Sequence, residues 1–375
     1  MEDLAIPHSL AMQDLEHMRS ALALARRGLG QCWPNPSVGC VIVRDGRVAG
    51  RAVTAPGGRP HAEPQALAMA GEAARGATVY VTLEPCCHHA RTPPCTDALI
   101  AAGVARVVVA ARDCDPRVNG EGLSRLRAAG IDVTEGLLRA EAEDLNAGFF
   151  TRLRHGRPLV TLKLASTLDG RIATSNGQSQ WITGAPARAM AHALRARNDA
   201  VMAGAGTVHA DNPDLTCRIA GMKSVPQVRV VADSHLRTPL TSKLIASAHT
   251  NPTWILATAG NDAARLEAFA QAGATVIEVA AAPMGIDLLE GFRAMARRGI
   301  TRVLVEGGAQ LAAALLRADL VDRIAWFHAP SVMGGDGWPA AQAFGVQTLG
   351  HMPRFVRESA VPAGDDMLTE LRRAA

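Results

Sequence analysis

An imidazole, a carboxylate two residues along and a set of cysteines farther downstream are the groups in this chain best able to react: His61-Ala62-Glu63, then Pro85-Cys86-Cys87-His88-His89-Ala90-Arg91-Thr92-Pro93-Pro94-Cys95. A zinc ion that does chemistry takes three protein ligands and keeps a fourth position for water, whose pKa it lowers toward neutrality. His61, Cys86 and Cys95 supply three such ligands. Glu63 stands near enough to reach that water without ligating the metal, and so can pass a proton from it to a departing amine. This is the equipment of a hydrolytic deaminase. A structural zinc site is the bland alternative, but such sites are closed by a fourth strong ligand and seldom set a carboxylate beside the histidine. Cys87, His88 and His89 are alternative donors. Cys86 is preferred because it follows Glu84-Pro85 at the end of the apolar run Thr78 to Leu83, where a strand would deliver it to a helix start. A disulfide framework is disfavoured by an odd count of seven cysteines and by a start, Met1-Glu2-Asp3, that lacks a secretory signal.

Those groups must be held by strands and helices that the pattern of the first half supplies. Leu15, Met18, Leu22 and Ala25 fall at helical spacing within Leu15 to Arg27, which ends at Gly28. Val38 to Val43 and Arg47 to Arg51 flank Asp45-Gly46, a tight-turn pair that predicts a hairpin. The alanine-rich stretch Ala62 to Ala74 predicts a helix whose first turn holds His61 and Glu63. Strands are expected at Thr78 to Leu83 and Arg106 to Ala111, with a helix from Cys95 to Ala102 between them. All three ligands then lie at the starts of two helices, as in α/β sites where ligands gather at strand ends. The positive helix termini also favour thiolate.

A His-x-Glu followed by Pro-Cys is the pattern of the zinc nucleobase deaminases, although here the second cysteine is farther from the first. The string Thr82-Leu83-Glu84-Pro85-Cys86 with Arg91-Thr92-Pro93-Pro94-Cys95, preceded by Pro34-Asn35-Pro36-Ser37-Val38-Gly39, resembles more closely the deaminase half of the bifunctional deaminase/reductase family of bacterial riboflavin biosynthesis. Ala90 stands where that family usually has glycine. The resemblance implies a cytidine-deaminase-like three-layer α/β/α domain in which Asn35 binds the pyrimidine of the substrate.

A new unit is expected after His155-Gly156-Arg157-Pro158, which interrupts a closing helix over Ala140 to Leu153 before a strand at Leu159 to Leu164. The division read from this is residues 1–154, the zinc-dependent deaminase, and residues 155–375, the reductase. The second part holds Lys163-Leu164-Ala165-Ser166-Thr167-Leu168-Asp169-Gly170-Arg171, Ser179-Gln180-Trp181, Gly204-Ala205-Gly206-Thr207 with Asp211-Asn212-Pro213, and Val303 to Leu311, where an apolar strand passes through Gly307-Gly308 into a helical run. Glycines at a helix start let phosphate oxygens approach backbone N–H groups. In that order the segments resemble the reductase half of the same family, from about Leu159 to Asp322.

That likeness implies a dihydrofolate-reductase-like α/β domain using NADPH. It carries Ala165, Trp181, Thr207, Asp211, Ser234 and Gly308 over as cofactor contacts, and Ser179, Arg195, Leu215, Arg218 and Glu306 as substrate contacts. The two arginines suit a phosphate because guanidinium binds it bidentately. Lys163 is either a further substrate contact near the reacting centre or an ordinary strand-edge lysine. Asp169-Gly170 is either part of the site or a turn, and Trp181 either a cofactor contact or a packing aromatic.

Length and composition agree with a cytosolic enzyme. At 375 residues the chain exceeds what one core usually supports, and its apolar fraction of 48% suffices for two. A net charge of +4 with scattered arginines argues against a nucleic-acid partner, and no apolar stretch would span a bilayer. The expected partner is a small pyrimidine ribosylamine phosphate, in an enzyme expected to form a homo-oligomer. The rival, a zinc deaminase acting on RNA with a non-catalytic C-terminal binding domain, calls for a basic surface and stacking aromatics. This chain has one tyrosine.

Overall fold

The computed structural model describes residues 8–89, 92–222, 225–283 and 285–374; Met1-Glu2-Asp3 and the Ala90-Arg91 pair lie outside the described residues. The chain divides into two compact units, residues 1–155 and 156–375.

In the first unit, α1 (His8–Gly28) starts earlier than the apolar spacing predicts and buries Met18, Leu22 and Ala25 completely. Strands β1 (Gly39–Arg44) and β2 (Arg47–Val53) make the expected antiparallel hairpin. Its turn residues Asp45 and Gly46 have φ of 49° and 74°, the left-handed pair that matches strand twist. Helix α2 (Ala62–Ala70) is shorter than expected. Gly71, at φ 54° and ψ −134°, breaks it, and a 3-10 turn follows to Ala74. β3 (Thr78–Leu83), α3 (Cys95–Ala102) and β4 (Arg106–Ala111) have the expected bounds, followed by α4 (Glu121–Ala128) and β5 (Asp132–Glu135). The sheet order is β2-β1-β3-β4-β5, with β3, β4 and β5 parallel.

The closing helix is two helices, α5 (Arg139–Leu145) and α6 (Ala147–His155). α1 and α5 meet each other, while α2, α3 and α4 form a separate contiguous row, giving three layers. The break at Asn146 has a partner far away in sequence. Its amide accepts from Ser37 N and donates to Ser37 O, both at 3.0 Å, and Ser37 is buried. Apolar spacing is blind to such a bond. Asn146→Ala leaves two buried backbone groups unpaired, so it should lower the stability of this unit by about 2–4 kcal/mol. Denaturant unfolding read on the full chain tests this, and a loss below about 0.5 kcal/mol, the size of an ordinary surface change, would show that the bridge is dispensable.

The second unit runs β6 (Leu159–Thr167), β7 (Arg171–Ala173), α7 (Ala185–Ala196), β8 (Ala200–Gly204), α8 (Ala205–Asp211), β9 (Val228–Ala232), α9 (Lys243–Ala246), β10 (Thr253–Thr258), α10 (Ala263–Gln271), β11 (Thr275–Val279), β12 (Ala281–Ala282), β13 (Gly285–Ile286), α11 (Leu288–Arg297), β14 (Arg302–Val305), α12 (Ala309–Arg317), β15 (Arg323–Ala329), β16 (Trp338–Pro339), β17 (Phe355–Ala363) and β18 (Asp366–Arg373). Nine strands form one sheet, in the order β11-β10-β9-β8-β14-β6-β15-β18-β17. From β11 to β15 they are parallel, and the C-terminal pair is antiparallel. Short ribbons pair β12 with β13 and β7 with β16. β6 outruns its expected end at Leu164 because it pairs with β15 as far as Thr167. Asp322 secures its start, accepting from both Nη atoms of Arg157 and from Val160 N. With β14 on one side and β15 on the other, β6 is interior, so Lys163 is not a strand-edge lysine.

Candidate active sites

In the first unit the edges of α2 and α3 bring the reactive groups together. His61 is the N-cap of α2, Glu63 lies in its first turn, and Cys95 opens α3. Cys86 belongs to no helix, contrary to the sequence expectation. It lies in the connection after β3, with its sulfur 3.4 Å from Cys95 N and its carbonyl accepting from Thr96 N, and so reaches the start of α3 through space. His61 Nδ1 is 3.4 Å from Cys95 Sγ and 3.7 Å from Cys86 Sγ. Nitrogen and sulfur ligands of one tetrahedral zinc stand about 3.6 Å apart, so the triangle has the size the ion requires. No other trio of metal-binding side chains lies this close together among the described residues. The Cys87 sulfur faces Arg117 O instead, at 3.5 Å.

The electrostatics suit a cation and a proton carrier. The Cys95 S–H, helped by His61, holds Cys86 far below the ordinary thiol range, at about 4, despite burial. The Cys86 thiolate and burial push Cys95 up in turn, so the pair keeps one proton until a cation replaces it. Burial first, then the Cys86 thiolate, pushes Glu63 up to about 7, a value suited to giving and taking protons near neutrality. Glu63 is 4% exposed. Asn35 Nδ2 lies 3.3 Å from His61 Nε2 and donates to Gly58 O. Gly58, at φ 86°, has no room for a Cβ, which would stand 2.7 Å from Cys32 O and 2.8 Å from Asn35 Cβ.

Sequence reasoning quoted Glu84 only as part of a motif. Its buried carboxylate accepts the backbone N–H groups of Asp113, Gly120, Gly122 and Leu123, capping α4 and tying that segment to the connection that carries Cys86. Gly122 lets α4 close in, since a Cβ there would stand 2.3 Å from Pro85 O. Glu84→Gln leaves one acceptor oxygen for four donors. It should cost about 2–4 kcal/mol of stability and weaken metal retention against a chelator, both measurable without turnover; unchanged melting and retention would refute the clamp.

In the second unit, a cavity of about 1010 Å³ opens beyond the C-terminal ends of β8 and β9, against the first turns of α8 and α12. It brings together Ser179, Thr207, Asp211, Ser234 and Gly308 of the expected residues. Gly308 is the N-cap of α12, and a Cβ on Gly206 would meet nothing within 4 Å, so phosphate oxygens have room beside backbone N–H groups. Arg237, Asp287, Trp338 and the segment 285–289 also line it and were missed. Arg237 lies only three residues beyond Ser234 and its charge was a usable signal; the 285–289 segment carried none.

Ala165 and Trp181 lie outside that lining. Ala165 sits half-buried on β6, and the Trp181 ring, 67% exposed, is covered by the Arg188 guanidinium at 4.6 Å. Lys163, Arg195 and Glu306 form a second group. The Arg195 fork is bidentate to Glu306 at 2.5 and 2.9 Å and its Nη1 donates to Thr216 O. The phosphate grip expected of Arg195 is therefore occupied here by a carboxylate. Burial would raise Glu306, but Arg195 and Lys163 outweigh it and hold the carboxyl below its ordinary range; burial holds Lys163 below the usual lysine range. Arg218 is exposed beside this group and its N donates to His192 Nδ1, while buried Leu215 takes a left-handed φ of 55°, a strained conformation for that residue. Asp169-Gly170 is a turn whose carboxylate accepts from Met333 N and Gly334 N.

Residues 11–111 match the cytidine and deoxycytidylate deaminase zinc-binding region, and residues 158–368 match the RibD C-terminal domain. The chain is 41% identical over 374 residues to the riboflavin biosynthesis protein RibD of Escherichia coli K12, covering 96% of this chain and 99% of that protein. It is 39% identical over 360 residues to RibD of Aquifex aeolicus, covering 96% and 98%. Among solved structures, RibD of Acinetobacter baumannii superposes with a TM-score of 0.86 at 35% identity, covering 97% of this chain and 100% of that one. A diaminohydroxyphosphoribosylaminopyrimidine deaminase/5-amino-6-(5-phosphoribosylamino)uracil reductase from Thermotoga maritima gives 0.85 at 33%, with the same coverage.

Proposed function

The chain belongs to the RibD family of riboflavin biosynthesis proteins, a bifunctional deaminase and reductase, and on that premise we propose which of its residues perform each reaction. The first unit deaminates 2,5-diamino-6-(5-phosphoribosylamino)pyrimidin-4(3H)-one, and the second reduces the ribosyl side chain of the product to ribityl. Zinc, when bound by His61, Cys86 and Cys95, supplies an activated water, and NADPH, when bound in the cavity, supplies a hydride. Glu63 takes one proton from the water and passes it to the ring nitrogen, then takes the second proton from the same oxygen and passes it to the departing amine, which leaves as ammonia. Asn35 holds the pyrimidine against His61. In the second unit Ala165, Trp181, Thr207, Asp211, Ser234 and Gly308 contact the cofactor, while Lys163, Ser179, Arg195, Leu215, Arg218 and Glu306 contact the substrate. Trp181 and Ala165 require cofactor or loop movement to meet the cavity, since both lie off its lining.

One observation carries the reading: three zinc-type donors at ligand spacing with a buried carboxylate beside them. Purified protein given the pyrimidine substrate and NADPH should release ammonia and oxidise cofactor as two separate signals. Ammonia without cofactor oxidation would sink the second half. The RNA-acting alternative is not favoured, the net charge being +4 with one tyrosine. The fuller description is a cytoplasmic homo-oligomer that binds no nucleic acid. Seven free thiols suit a reducing compartment, and the exposed Val332, Leu349, Met352 and Val356 offer apolar surface to a second copy.

A further inference from the structure

The cavity lies over the ends of parallel strands, and its two ends differ in chemistry. Ser179 and the β7–β16 ribbon line one end, nearest the strand that carries Lys163. Ser234, Arg237 and the segment 285–289 line the other, beyond β9. β9 stands three strands from β6 in the sheet, about 14 Å at ordinary strand spacing. A dinucleotide whose reacting ring sits near Lys163 and whose central phosphates meet the start of α12 therefore lays its adenosine at the β9 end.

The turn after β9 is unusually fixed. Asp233 Oδ2 accepts from Thr238 N and Thr238 Oγ1, closing it at 2.6 and 2.7 Å. Ser234 O accepts from Thr258 N, Thr258 Oγ1 and Asn261 Nδ2, and Arg265 donates to the carbonyls of Leu236 and Thr238. This framework uses backbone groups of the turn and the side chains of Asp233, Thr238, Thr258, Asn261 and Arg265. It leaves the Arg237 side chain exposed at the cavity, with no hydrogen bond or ion pair from its guanidinium to another described residue. The other arginine of the lining, Arg317, is at the last turn of α12 and donates to Ala343 O. Asp287, the nearby acid, is engaged as the N-cap of α11.

We propose that Arg237, with the Ser234 hydroxyl, grips the phosphate on the adenosine ribose and so makes this site select NADPH over NADH. The inference rests on reading the cavity as the NADPH site. A guanidinium held at the rim of a fixed turn offers two parallel donors to a phosphate that NADH lacks. Losing one charge-assisted contact of this kind weakens binding about 10- to 100-fold.

Calorimetric titration of the full chain with NADPH, NADH, 2′,5′-ADP and 5′-ADP tests this without turnover. Arg237→Ala should raise the Kd for NADPH and 2′,5′-ADP by about 10- to 100-fold and leave NADH and 5′-ADP within about twofold. Arg237→Lys should recover part of the loss, and Arg317→Ala should not change the NADPH to NADH ratio. Equal weakening of both dinucleotides, an unchanged ratio in Arg237→Ala, or a selective loss in Arg317→Ala instead would overturn the assignment. Wild-type protein that binds neither dinucleotide would overturn the reductase site itself, and the assignment with it.

Discussion

Glu63→Gln will cut ammonia release by about 10²- to 10⁴-fold while the protein keeps its zinc. The substitution preserves size and hydrogen-bonding shape at a position that is 4% exposed, so the helix start and the three ligands should stay in place. What it removes is a carboxyl that burial, and then the Cys86 thiolate, raise to about 7, close to the neutral pH at which it must first take and then give a proton. Elemental analysis should find one zinc per chain in both proteins, and cofactor oxidation with the deaminated pyrimidine supplied directly should be unchanged. Turnover near the wild-type rate would remove Glu63 as the proton carrier. Loss of zinc together with activity would instead make it a structural support of the metal.

The second large effect is expected in the other unit. Arg195 and Glu306 are 13% and 12% exposed and meet through two hydrogen bonds. Arg195→Met leaves the buried carboxylate without its hydrogen-bonded partner, with Lys163 and His192 as the remaining basic neighbours, and breaking such a pair from one side costs about 3–5 kcal/mol. Reduction of the deaminated substrate should disappear, with ammonia release intact, because His61, Glu63, Cys86 and Cys95 belong to a unit with its own core. The double variant Arg195→Met with Glu306→Leu separates structure from chemistry. Stability should return in part, since no unpaired carboxylate remains and Lys163, which burial already holds below the usual lysine range, can shed its proton, while reduction should stay absent. Recovery of reduction in the double variant would make the pair a purely structural one.

How much was legible beforehand follows from the range over which each signal acts. The Asp45-Gly46 hairpin, β3, α3 and β4 came from short-range pattern, and their bounds agree because turn chemistry and apolar period are local properties. The closing helix failed at Asn146, where a bond to Ser37, 109 residues away, competes with helical continuation. The family resemblance makes Arg195 a substrate contact suited to a phosphate; that its guanidinium meets Glu306, 111 residues away, is visible only in the fold. The scarcity of aromatics, 3% of the chain, singles out Trp181, while the exposure of its ring against Arg188 is a property only the fold shows.

By itself the order of residues determined the donor types, the acid beside them and the strand and helix rhythm that carries both, since these depend on side-chain chemistry and on neighbours a few positions apart. Only the tertiary structure shows that Cys86, which the sequence already favours, lies within ligand reach of His61 and Cys95, that Glu84 clamps the connection carrying Cys86, and that Arg237 stands bare at the far end of a cavity. Those outcomes are choices among competing partners across long stretches of chain. They are settled by which groups packing brings within about 3 Å of each other, a quantity that no local pattern contains.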